Sequence, residues 1–244
     1  MIINFVGHCI INLYESIRCL IKGDVSLKST IEQSAIIGYD SMPIALIISF
    51  MSGAVMALQI SRYFVMSGAE GYVGGLIAVA IVREMAPMFA SLAIGARAGT
   101  AIAAEIANMK VTEQIDAMKT LNVNPVCYLI LPRVLAGTVM VPLVTIFAII
   151  IGILGGMFVA YVSIDLHFYR YMHAVWLYLT VFDIKVCLIK ASVFGMLVTL
   201  ICSTNGYLTT GGAKEVGVAT TKAAIYSTFA ILVFDYILTW IFYS

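Results

Sequence analysis

Four ionisable residues interrupt an apolar stretch of the chain and are its first candidates for chemistry. Arg83 and Glu84 are adjacent, and Arg97 and Glu105 follow them in a segment of helical periodicity. A charge inside a membrane segment costs about 3 kcal/mol or more unless it is paired or hydrated. Two interpretations stay open. Glu84 neutralises an arginine and fixes the local structure, or these residues form a polar site in a cavity filled with water or headgroups.

Arg83 is the better candidate for binding a phosphate group. Its guanidinium offers a planar fork of donors that matches phosphate. Pro87 removes one helix hydrogen bond and predicts a kink at residues 83–87. Arg97 lies 14 residues after Arg83, which is about 21 Å along a helix, so one phosphate cannot contact both, and we expect Arg97 to have a structural or gating role. The candidates for lining a ligand path are Arg83, Glu84, Pro87 and Arg97.

A short polar helix is predicted at residues 113–121, between two apolar segments, after a tight break at Asn108–Lys110. Thr112 suits the N-cap, and Glu113 adds negative charge at the positive end of the helix dipole. Such a helix either docks against a partner at the membrane surface or only connects two spans. Its apolar stripe, at helical spacing, consists of Val111, Ile115 and Met118.

The sequence predicts no catalytic, nucleotide-binding or metal site. Gly206 and Gly211 have the spacing of a phosphate-binding loop, but Gly212 and Ala213 stand where that loop carries its Lys and its Ser or Thr. We interpret residues 204–222 as a flexible loop. The three histidines and five cysteines show no ligand spacing, and we interpret the cysteines as small apolar residues. We expect this chain to hold no cofactor and to be no enzyme.

The composition indicates an integral membrane protein. Hydrophobic residues make up 62% of the chain and charged residues 11%, whereas soluble domains are about 25% charged. The 244 residues have room for five or six spans of about 20 residues each. The net charge of +1 is uninformative about nucleic acid, and no basic cluster suggests a nucleic-acid partner, so we expect none.

We expect an all-α fold with an N-terminal interfacial helix, five transmembrane helices and a single domain over residues 1–244. Residues 1–22 carry polar and apolar stripes at helical spacing, which favours a helix lying in the membrane interface over a partly inserted span or a signal peptide. Residues 1–32 comprise this helix and a connector, and residues 33–244 form the bundle. The spans are predicted at residues 43–61, 72–104, 134–161, 184–202 and 223–242.

A line of small residues is predicted to bring the second span to the centre of the bundle. Gly95, Gly99 and Ala103 recur every four residues on one helix face, and such lines let helix backbones approach closely inside membranes. We therefore expect this line to pack tightly against another helix.

Lysine and arginine positions predict the orientation. With the N-terminus inside and five spans, the inside segments hold eight Lys and Arg residues and the outside segments hold Arg62 and Arg170, with Lys185 close by. The positive-inside rule then predicts a cytoplasmic N-terminus, a cytoplasmic helix at residues 113–121 and a periplasmic C-terminus.

The chain strongly resembles the MlaE (YrbE, DUF140) family of ABC-transporter permeases. The similarity lies in the run VREMAPMFASLAIGARAGTAIAAEIANMKVTEQIDAMKTLNVNPVCYLILPRVLAG, of which AGTAIAAEIANMKVTEQIDAM is the most diagnostic part. It continues in GILGG at residues 152–156 and in GAKEVGVATTKA at residues 212–223. Nearly the whole chain takes part, and the first 40 residues are the least distinctive.

The resemblance implies a homodimeric permease that sits between two cytoplasmic ATPase subunits and a substrate-binding protein with an MCE domain. Together these move phospholipid between membranes, and the ATPase, not this chain, uses ATP and Mg²⁺. The implied location is the cell inner membrane, or the plastid inner envelope if the source is a plant or an alga. The family's coupling helix corresponds to ANMKVTEQIDAM here. The residues implied in coupling to the ATPase are Glu105, Met109, Lys110, Thr112, Glu113, Gln114 and Asp116.

Two alternatives belong to other functional classes. An autonomous secondary transporter or channel for a small amphipathic substrate would favour inverted repeats with matching breaks, whereas this chain has one strong break and an odd number of spans. An intramembrane lipid-modifying enzyme would need a catalytic set of residues, and no such set is visible in the sequence.

Overall fold

The computed structural model describes residues 2–23 and 26–244. In this part of the chain all regular structure is helical, and five helices are long and apolar enough to cross a membrane. The expected fold class, an all-α membrane protein with five spans, is confirmed. The spans cover Leu27–Met66, Glu70–Val111, Val126–Ile164, Val181–Tyr207 and Ala213–Tyr243.

Eleven α-helices are present in the described residues, several of them joined end to end within one span. They are α1 (Ile2–Lys22), α2 (Leu27–Ile37), α3 (Met42–Met66), α4 (Val73–Ala80), α5 (Ala86–Ile94), α6 (Thr100–Val111), α7 (Gln114–Thr120), α8 (Leu131–Ile164), α9 (Phe168–Tyr178), α10 (Val181–Tyr207) and α11 (Ala213–Tyr243). Three π-helical turns lie at Ile81–Met85, Gly95–Gly99 and Val126–Ile130.

The second span is one long helix made of α4, α5 and α6, with a π-helical turn at each junction. The first turn, Ile81–Met85, directly precedes α5, which carries Pro87. Proline offers no N–H to the carbonyl four residues earlier, so the α-helical hydrogen-bond ladder is interrupted there. The expected break therefore takes the form of a π-helical turn, a feature that is frequent at functional sites.

Small residues let this long helix approach α10 closely. A Cβ built on Gly95 would lie 3.5 Å from Val198 Cγ1, and one built on Gly99 would lie 2.8 Å from Cys202 Sγ. One turn further on, a Cβ on Gly206 would lie 2.7 Å from the carbonyl oxygen of Ala103. The line of small residues thus faces α10 within the same chain.

The α8 helix approaches α3 and α10 by the same device. Ser49 Oγ of α3 donates to the carbonyl of Ala148 at 2.6 Å, and a Cβ built on Gly53 would clash with the backbone of Gly152. Small residues at helix contacts allow dense packing in membranes, where the hydrophobic effect does not drive helix association.

Two polar segments that were predicted as connections are largely helical. α10 continues to Tyr207 and α11 begins at Ala213, so the predicted flexible loop at residues 204–222 is wrong except for residues 208–212. The hydroxyl of Thr220 donates to the carbonyl of Gly217 at 2.7 Å, and such bonding inside the helix satisfies threonines that otherwise favour turns.

The predicted connector up to residue 32 is also too long. α2 begins at Leu27, and Ser26 caps it by accepting a hydrogen bond from the amide of Ser29 at 3.3 Å. Residues 24 and 25 of this connector lie outside the described residues.

The N-terminal helix α1 lies against the bundle through both polar and apolar residues. Asn12 Nδ2 donates to Thr204 Oγ1 at 3.0 Å, and both residues are buried. The apolar side chains of Ile3, Ile10 and Ile17 are exposed on the outer side of α1. This arrangement suits a helix whose apolar face meets lipid in the membrane interface.

The interpretation of all five cysteines as small apolar residues is wrong for two of them. Cys19 and Cys127 form a disulfide that links α1 to the turn before α8, with a Cα–Cα distance of 5.7 Å. These residues are 108 positions apart, so no local spacing indicates the pair. Cys9, Cys187 and Cys202 are free thiols.

We expect Gly99→Leu to lower the melting temperature of the protein, because the added side chain would overlap Cys202 and Val198. Overpacking of this kind typically costs about 1–3 kcal/mol. The control is Gly217→Leu, since a Cβ on Gly217 meets nothing within 4 Å. Thermal unfolding and particle size would be measured in detergent. Equal melting of both variants and the wild type would show that this helix contact does not limit stability.

Candidate functional site

The first part of the site is an ion pair at the π-helical turn before α5. Arg83 Nε donates to Asp183 Oδ1 at 2.8 Å, and Asp183 is fully buried. Asp183 is held by a reciprocal capping box at the start of α10, in which the Thr180 amide donates to Asp183 Oδ2 at 3.1 Å and the Asp183 amide donates to Thr180 Oγ1 at 3.3 Å. Tyr243, near the end of α11, donates to Asp183 Oδ1 at 3.0 Å. The arginine is therefore oriented by groups from α10 and α11.

The outer part of the Arg83 guanidinium stays available. Its carbon lies 4.5 Å from the centroid of the Tyr243 ring, which is a cation–π contact. The side chain is 37% exposed, and its two terminal nitrogens donate to no other group in residues 2–23 and 26–244. A guanidinium whose Nε is engaged and whose two terminal nitrogens are free can donate to two oxygens of one phosphate group.

The second part of the site is the buried ammonium of Lys190. Its Nζ lies 2.9 Å from Glu84 Oε2, 3.0 Å from Asp235 Oδ1 and 2.7 Å from Thr239 Oγ1. It also donates to the carbonyl oxygen of Arg83 at 2.9 Å. Lys190 is fully buried, so these partners replace all of the water that an exposed ammonium would bind.

The contact with the Arg83 carbonyl explains the position of Pro87. In an α-helix this carbonyl would accept from the amide of residue 87, and proline has no N–H to give. The ammonium of Lys190 supplies the donor at 2.9 Å. A proline, a π-helical turn and a buried lysine are thus parts of one arrangement.

The hypothesis that Glu84 neutralises an arginine is wrong in this structure. Arg83 pairs with Asp183 and Glu84 pairs with Lys190. Adjacent helix residues project about 100° apart, so the two charges reach different neighbours. In sum, two cations and three carboxylates come together here from the long helix, α10 and α11.

Arg97 lies in a separate polar contact near the second π-helical turn. Its guanidinium is 3.3 Å from Asp40 Oδ2 and donates to the carbonyl of Ile36 at 3.2 Å and to Ser41 Oγ at 3.3 Å. These partners belong to the junction between α2 and α3. The structure does not bring Arg97 together with Arg83.

At the other end of the long helix, Glu105 lies 2.8 Å from Arg133 at the start of α8. Arg133 is buried, and its Nη1 donates to the carbonyl of Leu129 at 2.7 Å. Glu105 thus ties α6 to α8.

The surface helix exists, with different boundaries and a different cap. α7 covers Gln114–Thr120, and the break lies at Thr112 and Glu113 instead of Asn108–Lys110. Thr112 is not the N-cap, because its hydroxyl donates back to the carbonyl of Asn108 at 2.8 Å and it ends α6. Glu113 makes the turn with φ of 62°.

Two lysines bracket Asp116 on this surface helix. Lys110 Nζ lies 2.8 Å and Lys119 Nζ 3.2 Å from its carboxylate. Their hydrogen bonds, that of Lys110 first, lower the pKa of Asp116, so it is an anion at neutral pH. The apolar side of α7 is anchored by Ile115, which is fully buried.

The residues implied in coupling are therefore unequal in exposure. Glu113 and Gln114 are exposed at the tip of this end of the molecule, whereas Met109 is packed against the core. Lys110 and Asp116 are engaged with each other. Among the residues implied in coupling, the exposed polar surface that remains for a partner is formed by Thr112, Glu113 and Gln114.

Sequence reasoning missed five members of this site, namely Asp183, Lys190, Asp235, Thr239 and Tyr243. Lys190 and Asp235 carried a usable signal, because an ionisable residue inside an apolar span demands a partner. That signal names no partner, and residues as far apart in sequence as Glu84 and Thr239, which are separated by 155 positions, meet at this site.

Comparisons with known proteins agree over most of the chain. A family model described as Permease MlaE matches residues 30–241. A probable ABC transporter permease protein of Rickettsia prowazekii is 38% identical over 229 residues, which is 94% of this chain and 88% of that protein. A probable ABC transporter permease protein of Synechocystis is 35% identical, over 92% and 86% of the two chains.

A plant protein is similar as well. The chloroplastic protein TRIGALACTOSYLDIACYLGLYCEROL 1 of Arabidopsis thaliana is 32% identical over 225 residues, which is 92% of this chain and 64% of the plant protein.

We expect Lys190→Met to destabilise the protein strongly, because it leaves Glu84 and Asp235 without their cation. Removing one partner of a buried ion pair typically costs about 3–5 kcal/mol. Lys185→Met is the control, since Lys185 is exposed on the same helix. Thermal stability in detergent is the measurement. Adding Glu84→Gln and Asp235→Asn to Lys190→Met should restore part of the loss, and equal stability of both lysine variants would contradict this role.

Proposed function

Since the chain belongs to the MlaE family of ABC-transporter permeases, we propose that it moves phospholipid between membranes with energy from a separate ATPase. Membership of the family makes it a transporter permease that works with an ATPase partner. The substrate, the second copy of this chain and the substrate-binding partner with an MCE domain are parts of the proposal.

The observation that carries the proposed substrate is the geometry of Arg83. Asp183 and Tyr243 fix this arginine from one side, and its terminal nitrogens remain open at a surface of the bundle. Arg83 lies in the membrane-spanning part of the chain, where a soluble phosphate compound has little access. A phospholipid brings a phosphate to that depth, and its acyl chains suit the apolar helix faces around it.

The name of one relative supports a glycerolipid substrate. The chloroplastic protein of Arabidopsis is named after trigalactosyldiacylglycerol, a diacylglycerol lipid. Lipids of this class share the glycerol backbone and the two acyl chains of a phospholipid.

In the proposed arrangement the end that carries α7 faces the cytoplasm and meets the ATPase. Lysines and arginines are enriched in the segments at that end, in keeping with the positive-inside rule. The C-terminus is then periplasmic, and the protein lies in the cell inner membrane, or in the plastid inner envelope if the source is a plant or an alga. Exposed apolar residues along α11, such as Phe229 and Trp240, are available to lipid or to a second copy.

We expect Arg83→Ala to abolish most binding of phosphatidylglycerol, a phospholipid without an amine, in the assembled transporter and Arg83→Lys to retain part of it, because lysine keeps the charge and loses the planar fork. Bound phospholipid and lipid-stimulated ATPase rate would be measured. Arg62→Ala, an exposed arginine at the same end of the bundle, is the control. Normal lipid binding in both Arg83 variants, with a lower folding yield, would make the Arg83–Asp183 pair a structural clamp only.

We expect Glu113→Lys to weaken association with the ATPase, because it reverses the charge of an exposed residue at the tip of the surface helix. Charge reversal at an interface changes affinity and on-rate, so the loss should depend on salt. Glu70→Lys, at the opposite end of the long helix, is the matched control. Membrane insertion should be normal in both. If Glu113→Lys changes neither the yield of the complex with the ATPase nor the ATPase rate, the docking surface lies elsewhere at this end.

A further inference from the structure

A cavity lined by both apolar and polar residues lies at the α7 end of the molecule, far from the charge cluster. It has a volume of about 280 Å³ and opens between α1, the loop at residues 208–212 and the start of α11. Asp235, which binds Lys190, is 20 residues beyond Glu215 of the cavity wall, about 30 Å along α11. The two sites are therefore separate.

The cavity exists because α1 is docked on the bundle. The ring of Phe5 lies 5.0 Å from the ring of Tyr226 on α11, and Asn12 donates to Thr204 on α10 at 3.0 Å. Both contacts hold α1 as one wall of the cavity. The exposed apolar face of α1 on the opposite side suits the membrane interface, so the cavity lies at the depth of lipid headgroups.

Two opposite charges line the cavity and leave each other unpaired. Glu215 and Lys222 are both half-buried on α11. They are seven residues apart, which is two helix turns or about 10.5 Å, and neither makes an ion pair or a side-chain hydrogen bond with another residue of the described chain. Because an unpaired carboxylate and an unpaired ammonium line the same cavity two helix turns apart, the cavity suits a ligand that carries both a positive and a negative charge.

Asn205 adds an acceptor at the bottom of the cavity. Its side chain is only 7% exposed, and its Nδ2 donates to the carbonyl of Ile201 at 3.0 Å. No group in residues 2–23 or 26–244 donates to its Oδ1. This oxygen is not fully enclosed, since Asn205 lines the cavity, and together with the Glu215 carboxylate it suits a ligand with several N–H groups.

We propose that this cavity binds a phosphoethanolamine group, with its ammonium on Glu215 and Asn205 and its phosphate on Lys222 and Thr210. A primary ammonium carries three N–H donors, whereas the quaternary ammonium of phosphocholine carries none. Thr210 lies on the cavity rim with its hydroxyl unengaged among the described residues. The volume suits a headgroup of a few heavy atoms, since one water occupies about 30 Å³.

This site goes beyond the proposed transport activity, because a lipid bound here at the α7 end is remote from Arg83. It would fix α1 to the bundle by occupying the space between α1 and α11. The phosphoethanolamine group can belong to a membrane lipid or to a soluble phosphoester, and the same experiment distinguishes these sources.

The test uses the full chain in nanodiscs of phosphatidylglycerol, which has no amine. Native mass spectrometry measures binding of dihexanoyl phosphatidylethanolamine, dihexanoyl phosphatidylcholine and soluble glycerophosphoethanolamine. We expect phosphatidylethanolamine to bind in preference to phosphatidylcholine, and Glu215→Gln and Lys222→Gln each to weaken its binding about tenfold, as the loss of a charge-assisted hydrogen bond predicts. Lys214→Gln, an exposed lysine on the same helix outside the cavity, should bind like the wild type.

Binding of glycerophosphoethanolamine as tight as that of the lipid would identify the soluble phosphoester as the source, and binding of the lipid alone would identify the membrane. Equal binding of the ethanolamine and choline lipids would overturn the assignment, as would wild-type binding by the Glu215 and Lys222 variants or an equal loss in Lys214→Gln. Arg83→Ala leaves this binding unchanged if the site is separate, so a failed transport assay and a failed cavity assay can be told apart.

Discussion

The buried ammonium of Lys190 is the interaction on which the membrane part of this protein depends. It neutralises Glu84 and Asp235 and donates to the carbonyl of Arg83, which cannot accept from residue 87 because proline has no N–H. An isolated charge in this environment would be expensive, and the same holds for each of its partners. The long helix, α10 and α11 are therefore bound to one position and one register by a single group.

The glycine contacts bring the helix backbones close enough for the side chain of Lys190 to reach its partners. Gly99 and Gly206 remove the side chains that would hold α10 away from the long helix, and Gly137 and Gly195 do the same between α8 and α10. With backbones this close, a lysine of ordinary length on α10 can reach both carboxylates and a main-chain carbonyl. The close helix packing is therefore what allows the buried polar groups to find hydrogen-bond partners.

The long helix carries polar side chains at several levels. Arg83 lies in its first π-helical turn and is held half-exposed by Asp183, and Glu105 joins α6 to Arg133 near the surface helix. The second π-helical turn lies between these two positions. Turns of this kind hold backbone hydrogen bonds in a less regular pattern, and each is braced by an ion pair to a neighbouring helix, Arg83 to Asp183 and Arg97 to Asp40.

The sequence by itself determined the membrane class, the five spans, the break before Pro87 and the presence of a polar helix near residue 113, because these follow from composition, periodicity and backbone chemistry over short distances. Only the tertiary structure decided which charges pair. Glu84 lies beside Arg83 in sequence yet meets Lys190, and Cys19 meets Cys127 across 108 positions. Neighbours on a helix diverge by about 100°, so pairing depends on how the helices are arranged around each other. The cap of the surface helix was decided locally, by a threonine hydroxyl that bonds back to Asn108, and two bonding choices of similar energy cannot be separated from sequence alone.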